Sequence, residues 1–186
     1  VATVFDSLNK NTDEDYKEIL WVASSALVES TYNSWYLSGT KIYINTFDGR
    51  EPDSTVFVYA NVDGPYYKLS GGTLYMENIH IHGGARCFDA SAANDNIIVL
   101  LKNCSFKYSG GEGSFVHGVG TFVYQNCIAS MNKKDGISWG NHNAAPPFCM
   151  EINCVSRWNG WTGGTVNQGS TCHSGTVLIR INCEYY

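Results

Sequence analysis

One dipeptide recurs along this chain and limits its fold more than any other feature: Asn followed by Cys. It occurs at Asn103-Cys104, Asn126-Cys127, Asn153-Cys154 and Asn182-Cys183, with Asn78-Ile79 as an earlier relative. Successive asparagines are 25, 23, 27 and 29 residues apart. Each follows a run of strand formers, as in residues 97–101, 121–124 and 176–179. A unit of roughly 20–30 residues, repeated with loops of variable length, is the mark of a solenoid. Aligned on Asn, the next position reads Ile79, Cys104, Cys127, Cys154, Cys183, and two further on it reads Ile81, Phe106, Ala129, Ser156, Tyr185. Alternation about a single position is the half-buried strand pattern, so both columns are expected to face inward.

The Asn has a geometric explanation. It tolerates the left-handed backbone of a sharp turn between strands. Stacked on itself, its amide can donate to the carbonyl of the next rung, making an Asn ladder. We expect Asn126→Ala to leave buried amide partners unpaired, at a cost of about 1–3 kcal/mol. Ile152 and Ile181 precede the last two asparagines, whereas Glu77, Lys102 and Gln125 hold that slot earlier. The change predicts a bulge or register shift between the third and fourth rungs. Second short strands follow Gly-rich bends at 86–88, 114–116, 136–139 and 165–166, which completes a parallel β-helix plan.

The front of the chain reads differently. Asn11 to Asp15 suggests a loop or helix start. Residues 18–30 mix strand formers (19–22) with helix formers (26–29). Residues 34–37 and 40–44 flank Ser38-Gly39 as a hairpin. Residues 47–53 form a surface turn, 55–60 another strand, and Tyr66, Tyr67 and Leu69 a further short one. No helix is expected after residue 32. We divide the chain into a β-rich N-terminal lead-in or cap, residues 1–71, and coils over 72–186 that are read as a fragment of a longer chain.

Composition narrows the function classes. The formal charge is −5 with no basic stripe, which argues against nucleic acid. No apolar run is long enough for a membrane span. The chain starts at Val1 and stops at Tyr186, just past an Asn-Cys, so we expect a cap, a partner subunit or further chain beyond it. Four of the seven cysteines occupy one slot of successive rungs. Rungs about 4.8 Å apart hold parallel Cβ atoms too far apart for disulfides, so we read a column of free thiols. Bridges among Cys87, Cys149 and Cys172 remain the alternative. No Cys/His spacing suits a metal, and no cofactor is expected.

The Lys134-Asp135-Gly136-Ile137 bend, the stretch Gly169-Ser170-Thr171-Cys172-His173-Ser174-Gly175 and the run 177–182 resemble single-stranded right-handed parallel β-helix proteins. That pectate-lyase-like superfamily includes polysaccharide-active enzymes and phage tailspikes. Residues 33–37, 48–50 and 52–53 resemble the lead-in of phage-associated or bacterial β-helix proteins. The resemblance implies an all-β, right-handed parallel β-helix of about five recognisable coils. It also implies a virion tail or cell-surface setting, cell-surface polysaccharide as partner and, by analogy with tailspikes, a homotrimer. Relatives are expected to carry an acid where this chain has Ser174.

Candidate chemistry follows from residue type. Glycoside hydrolysis needs two carboxylates. Asp89, Asp135 and Glu151 are the candidates, and Asp135 equally suits a turn. Glu151 aligns with Arg180, and if both point outward they form a cross-rung ion pair. A lyase would need clustered acids for Ca²⁺, which are lacking. His80 and His82 share a strand face. His117, His142 and His173 are read as loop histidines, His173 being the candidate acid or base. Trp139, Trp158 and Trp161, with His142, are the candidate carbohydrate-binding residues, since flat rings stack on sugars. Tyr108 aligns with Trp158, and a stacked structural pair is the alternative. Three functions follow: an adhesive β-helix contacting polysaccharide, a polysaccharide hydrolase or lyase on the same scaffold, and an architectural spacer. Missing acid clusters favour the first over the second. Long loops at 140–147 and 159–175 favour it over the third.

Overall fold

A computed structural model of the chain describes residues 2–60, 72–90, 97–140, 146–160 and 168–186. The chain divides into two compact units, Val1–Tyr59 and Ala60–Tyr186.

In the first unit, strand Ala2–Lys10 lies between Tyr16–Glu18 and Val56–Ala60. Asn11 makes the turn after it, its side-chain oxygen accepting the amides of Asp13 and Asp15. Residues 18–30 resolve into both elements that their composition suggested. Strand Leu20–Trp21 is followed by helix Ser25–Ser30, which Ser24 caps by accepting from the Leu27 amide. The hairpin pairs Ser34–Ser38 with Lys41–Asn45, and its turn is Gly39-Thr40, one residue later than expected. Gly39 takes φ +58° at the first turn position, which a β-branched residue there would resist. Val4, Ile19 and Trp35 form the core, and Arg50 ties the following surface turn back to Asp6 at 2.6 Å. The expected strand at Tyr66, Tyr67 and Leu69 lies outside the described residues.

The second unit is a β-solenoid of about four turns. Each turn contributes one strand to each of three parallel sheets. Sheet I stacks Gly72–Glu77, Ile97–Lys102, Gly120–Gln125, Phe148–Ile152 and Val177–Ile181. Sheet II stacks His80–His82, Ser105–Lys107, Ile128–Ser130, Val155–Arg157 and Glu184–Tyr185. Sheet III stacks Phe88–Asp89, Ser114–His117, Ile137–Gly140 and Ser170–Cys172. Helix is confined to residues 25–30 among the described residues.

The corner between sheets I and II is the Asn. All five asparagines have φ between 51° and 58°. Their side chains form an unbroken ladder, each Nδ2 donating to the Oδ1 one rung earlier. The distances are 3.1, 3.0, 3.2 and 3.0 Å from Asn103→Asn78 to Asn182→Asn153. The ladder runs along the outside of the coil and not within it. Its loss therefore costs less than removal of buried amides would. A second left-handed corner follows sheet II at Gly83, Tyr108, Met131 and Trp158. Met131 separates Tyr108 from Trp158, so those two rings do not stack. Tyr108 meets His82 edge-on and Trp158 meets Tyr186 edge-on.

Inside, the Cys column runs as read: Cys104, Cys127 and Cys154 are buried, Cys183 is half-buried, and all seven cysteines are free thiols. The thiols donate weakly to neighbouring carbonyls, Cys127 to Leu101 at 3.6 Å for example. Ile79 heads the column but is exposed. The Asn+3 column is inward, with Phe106, Ala129 and Ser156 buried. Asn132 and Asn159 form a second, internal amide contact, Asn132 Nδ2 donating to Asn159 Oδ1 at 2.9 Å and to the Phe106 carbonyl at 3.0 Å.

The expected register shift is absent. Gln125 pairs with Ile152 and Ile152 with Ile181 without interruption. Glu151 and Arg180 consequently continue the inward column of Met76, Leu101 and Tyr124. Outside, sheet I carries Tyr75, Leu100, Val123, Met150 and Ile179 in one aligned apolar row, beside a row that begins with the paired Glu77 and Lys102 and continues with Gln125.

Candidate functional site

Sheet III carries the polar, charged outer face of the solenoid. Its first row pointing away from the core is Asp89, Phe115, Ser138 and Thr171, neighbours by strand register, in which Asp89, Ser138 and Thr171 are buried and Phe115 is half-buried. The second is His117 and Gly140, with His173 beside Gly140 because it follows Cys172, the partner of Trp139. The His173 amide donates to the Trp139 carbonyl at 2.8 Å, which fixes the end of this rung.

Arg86 organises one end of the face. Its Nη1 donates to Asp89 at 2.6 Å and its Nε to Glu112 at 3.0 Å. Lys134 reaches the other Glu112 oxygen at 3.5 Å. Burial alone would lower the Arg86 guanidinium, but its two carboxylate partners outweigh this and hold it above its ordinary value. Burial alone would raise Glu112; backbone hydrogen bonding and the Arg86 and Lys134 charges bring it below the usual carboxylate range. The Arg86 plane lies 3.6 Å over the Phe115 ring, and the His117 ring stacks on Phe115 at 3.7 Å. Residues i and i+2 of one strand share a face, which brings Phe115 and His117 together. His117 Nε2 lies 3.4 Å from the Ser138 hydroxyl. A Cβ on Gly140 would come within 2.5–2.7 Å of Cε1, Nε2 and Nδ1 of His117, so the imidazole lies face-on over that glycine, with Phe115 on its other side.

Two candidate catalytic residues from the sequence fall on this face. Asp135 lies in the bend before the third strand and His173 follows the fourth. Asp135 is buried, and both its oxygens are engaged: Oδ1 accepts from the Gln168 amide and Oδ2 from the Thr171 hydroxyl, each at 2.8 Å. It clasps adjacent rungs. His173 is exposed and lies in the loop after its strand, as the sequence suggested, whereas His117 is the last residue of a strand and not a loop residue.

The others lie elsewhere. Glu151 points into the core with none of its surface exposed, not outward as a cross-rung pair would require. It accepts from Trp139 Nε1 and from the Ser170 hydroxyl at 2.6 Å, and the Tyr185 hydroxyl donates to its second oxygen. Arg180 stands 3.9 Å away. Burial first, then the bond to Glu151, holds the Tyr185 phenol well above its usual value. Trp139 is fully buried against Tyr124 and Phe122, so its ring packs the core and does not meet solvent. Trp158 is exposed at the second corner. His142 and Trp161 lie outside the described residues. Among the described residues no group of three or more His, Cys, Asp or Glu side chains is placed to hold a metal ion.

The sequence reading missed Arg86, Glu112 and Phe115. Their signal was present but faint: Phe115 and His117 alternate on one strand, and Arg86 and Asp89 stand three apart at a bend.

No family model, curated protein or solved structure matches the chain.

Proposed function

We propose that the solenoid is a carbohydrate-contacting recognition module that reads cell-surface polysaccharide with the outer face of sheet III. Phage tail spikes, tail fibres and bacterial surface proteins of the pectate-lyase-like type carry such modules. One observation supports binding over hydrolysis: every described carboxylate near the face is already engaged. Asp135 holds Gln168 and Thr171, Asp89 and Glu112 hold Arg86, and Glu151 is inside the coil. Paired acids free to protonate and attack are the requirement for glycoside hydrolysis. The stacked Arg86, Phe115 and His117 are instead locked before any ligand arrives, which lowers the ordering cost of binding. Arginine and imidazole edges suit glycan hydroxyls and carboxylates.

The test is binding to immobilised capsular and lipopolysaccharide preparations, with reducing ends and unsaturated-uronate absorbance followed in parallel. Arg86→Ala and His117→Ala are expected to weaken retention with no product formed. Product release by the unaltered protein would replace this reading with the enzymatic one. Retention unchanged by both substitutions would remove sheet III from the proposal.

A second reading rests on the opposite face. Tyr75, Leu100, Val123, Met150 and Ile179 form an apolar row across five strands, flanked by exposed Ile98, Phe148, Val177 and Ile181. Patches of this kind mark association surfaces. We propose that copies of this chain meet there in a homotrimer. Sedimentation equilibrium showing a monomer at micromolar concentration would reject it, and Leu100→Lys is expected to dissociate the assembly.

A further inference from the structure

We propose that the stacked thiols of Cys104, Cys127, Cys154 and Cys183 bind soft two-coordinate metal ions (Hg²⁺, Ag⁺ or Cu⁺), each ion seated between the sulfurs of two successive rungs. Hydrogen bonds fix where the sulfurs lie. Each Sγ donates to the carbonyl two residues before it, at 3.3, 3.5, 3.5 and 3.3 Å for Lys102, Gln125, Ile152 and Ile181. Each also donates to a carbonyl one turn earlier, at 3.7, 3.6, 3.4 and 3.3 Å for Met76, Leu101, Tyr124 and Glu151. Both sets of acceptors are aligned columns of sheet I. Four thiols held alike against carbonyls that repeat with the rung repeat with it too. Neighbouring sulfurs are therefore about 4.8 Å apart along the coil.

That spacing suits one kind of ion. A soft ion held in line by two thiolates, with metal–sulfur bonds of about 2.2–2.4 Å, spans about 4.4–4.8 Å from sulfur to sulfur. Zinc needs four ligands around it, and calcium and magnesium need oxygen donors. The column offers sulfurs two at a time, and among the described residues no three His, Cys, Asp or Glu side chains gather to hold one ion. The Cys154 amide donates to the Cys183 sulfur at 3.4 Å, a contact that strengthens when that sulfur is a thiolate. Each ion displaces two thiol protons, which pass to solvent. Hg²⁺ between two thiolates leaves no net charge, whereas Ag⁺ and Cu⁺ leave one negative charge inside the coil, so Hg²⁺ is held tightest. A thiolate does not bond two ions on opposite sides in line, so each sulfur serves one ion. Ile79 stands where the first rung would carry a fifth thiol. The column thus takes two ions, between Cys104 and Cys127 and between Cys154 and Cys183.

The site lies inside the coil and shares no residue with the glycan reading. The whole chain, reduced and then freed of reductant, is titrated with Hg²⁺ and with Ag⁺ in a Cys172→Ser background that removes the exposed thiol off the column. Sulfur-to-metal charge-transfer absorbance follows the uptake. Two ions per chain are expected, falling to one in Cys104→Ala or Cys127→Ala and to none in the double variant Cys127→Ala/Cys183→Ala. Cys127→Val keeps the bulk without the sulfur and takes the place of Cys127→Ala if that variant does not fold. X-ray absorption of the Hg²⁺ form should show two sulfurs and no other ligand. The ions clip successive rungs together, so the urea midpoint should rise with bound Hg²⁺. Uptake only by the urea-unfolded chain, uptake unchanged in the double variant, a midpoint lowered by Hg²⁺, or an oxygen, nitrogen or third sulfur on the ion would each overturn the site.

Discussion

The Asn corner and the outer face of sheet III treat repetition in opposite ways. At the corner every rung carries the same residue at nearly the same φ, and makes the same bond to its neighbour. On the face, rungs present Asp89, Phe115, Ser138 and Thr171 in one row, then His117, Gly140 and His173 in the next. A coil imposes one requirement per rung, so a residue kept in every rung serves the coil. A position where each rung differs is free of that requirement and can be specialised. Substitutions at the corner should therefore change stability and leave ligand contacts alone. Substitutions on the face should do more to binding than to the coil.

The largest effect is expected from Asn126→Val. A β-branched residue at φ +53° adds about 1–2 kcal/mol of strain to two lost exposed amide bonds, together about 2–3 kcal/mol. Urea denaturation measures the loss, and glycan retention by the folded fraction should be unchanged. Arg86→Met comes next. It strands Asp89 and Glu112 beneath a half-buried position, which we expect to cost about 2 kcal/mol and to impair glycan retention. A variant that lost stability but kept full retention would blur the contrast. Asn126→Gly should cost only about 1 kcal/mol, because glycine meets the backbone need and forfeits the ladder alone. The gap between Val and Gly at this site isolates the strain.

The smallest effect is on the acid side. Glu112 sits below its ordinary value of 4.5, so its contribution is whole above that pH and is lost as pH falls through the folded value. Arg86→Met should flatten this loss in denaturation midpoints measured from pH 6 downward. An acid limb as steep as the parent's would show that Arg86 does not set it.

Much of the fold was legible because corners and columns repeat. The Asn ladder, the Cys column and the Asn+3 column follow from spacing alone. Glu151 was not legible, because the sequence shows a charge and not the donors waiting for it. Trp139, Ser170 and Tyr185 come from three distant stretches and make an inward carboxylate tolerable. Without them a bulge was the simplest way to turn Glu151 and Arg180 outward, and the uninterrupted pairing removes it. Trp139 was misplaced for a related reason, since an aromatic near a loop reads alike whether it faces solvent or Tyr124. The candidate site was half legible. Asp135 and His173 were found as residues, but the seating of His117 between Phe115 and Gly140 appears only once the rungs are stacked.

The thiol column gives the molecule an internal clock. Each of four successive turns keeps one cysteine inside, and Cys183 is already partly accessible whereas Cys154, Cys127 and Cys104 are shut away. Alkylation under native conditions would mark which turn parts from its neighbour and how often. An order running from Cys183 inward would describe fraying from one end, whereas simultaneous labelling of all four would mean the pile opens as a single unit.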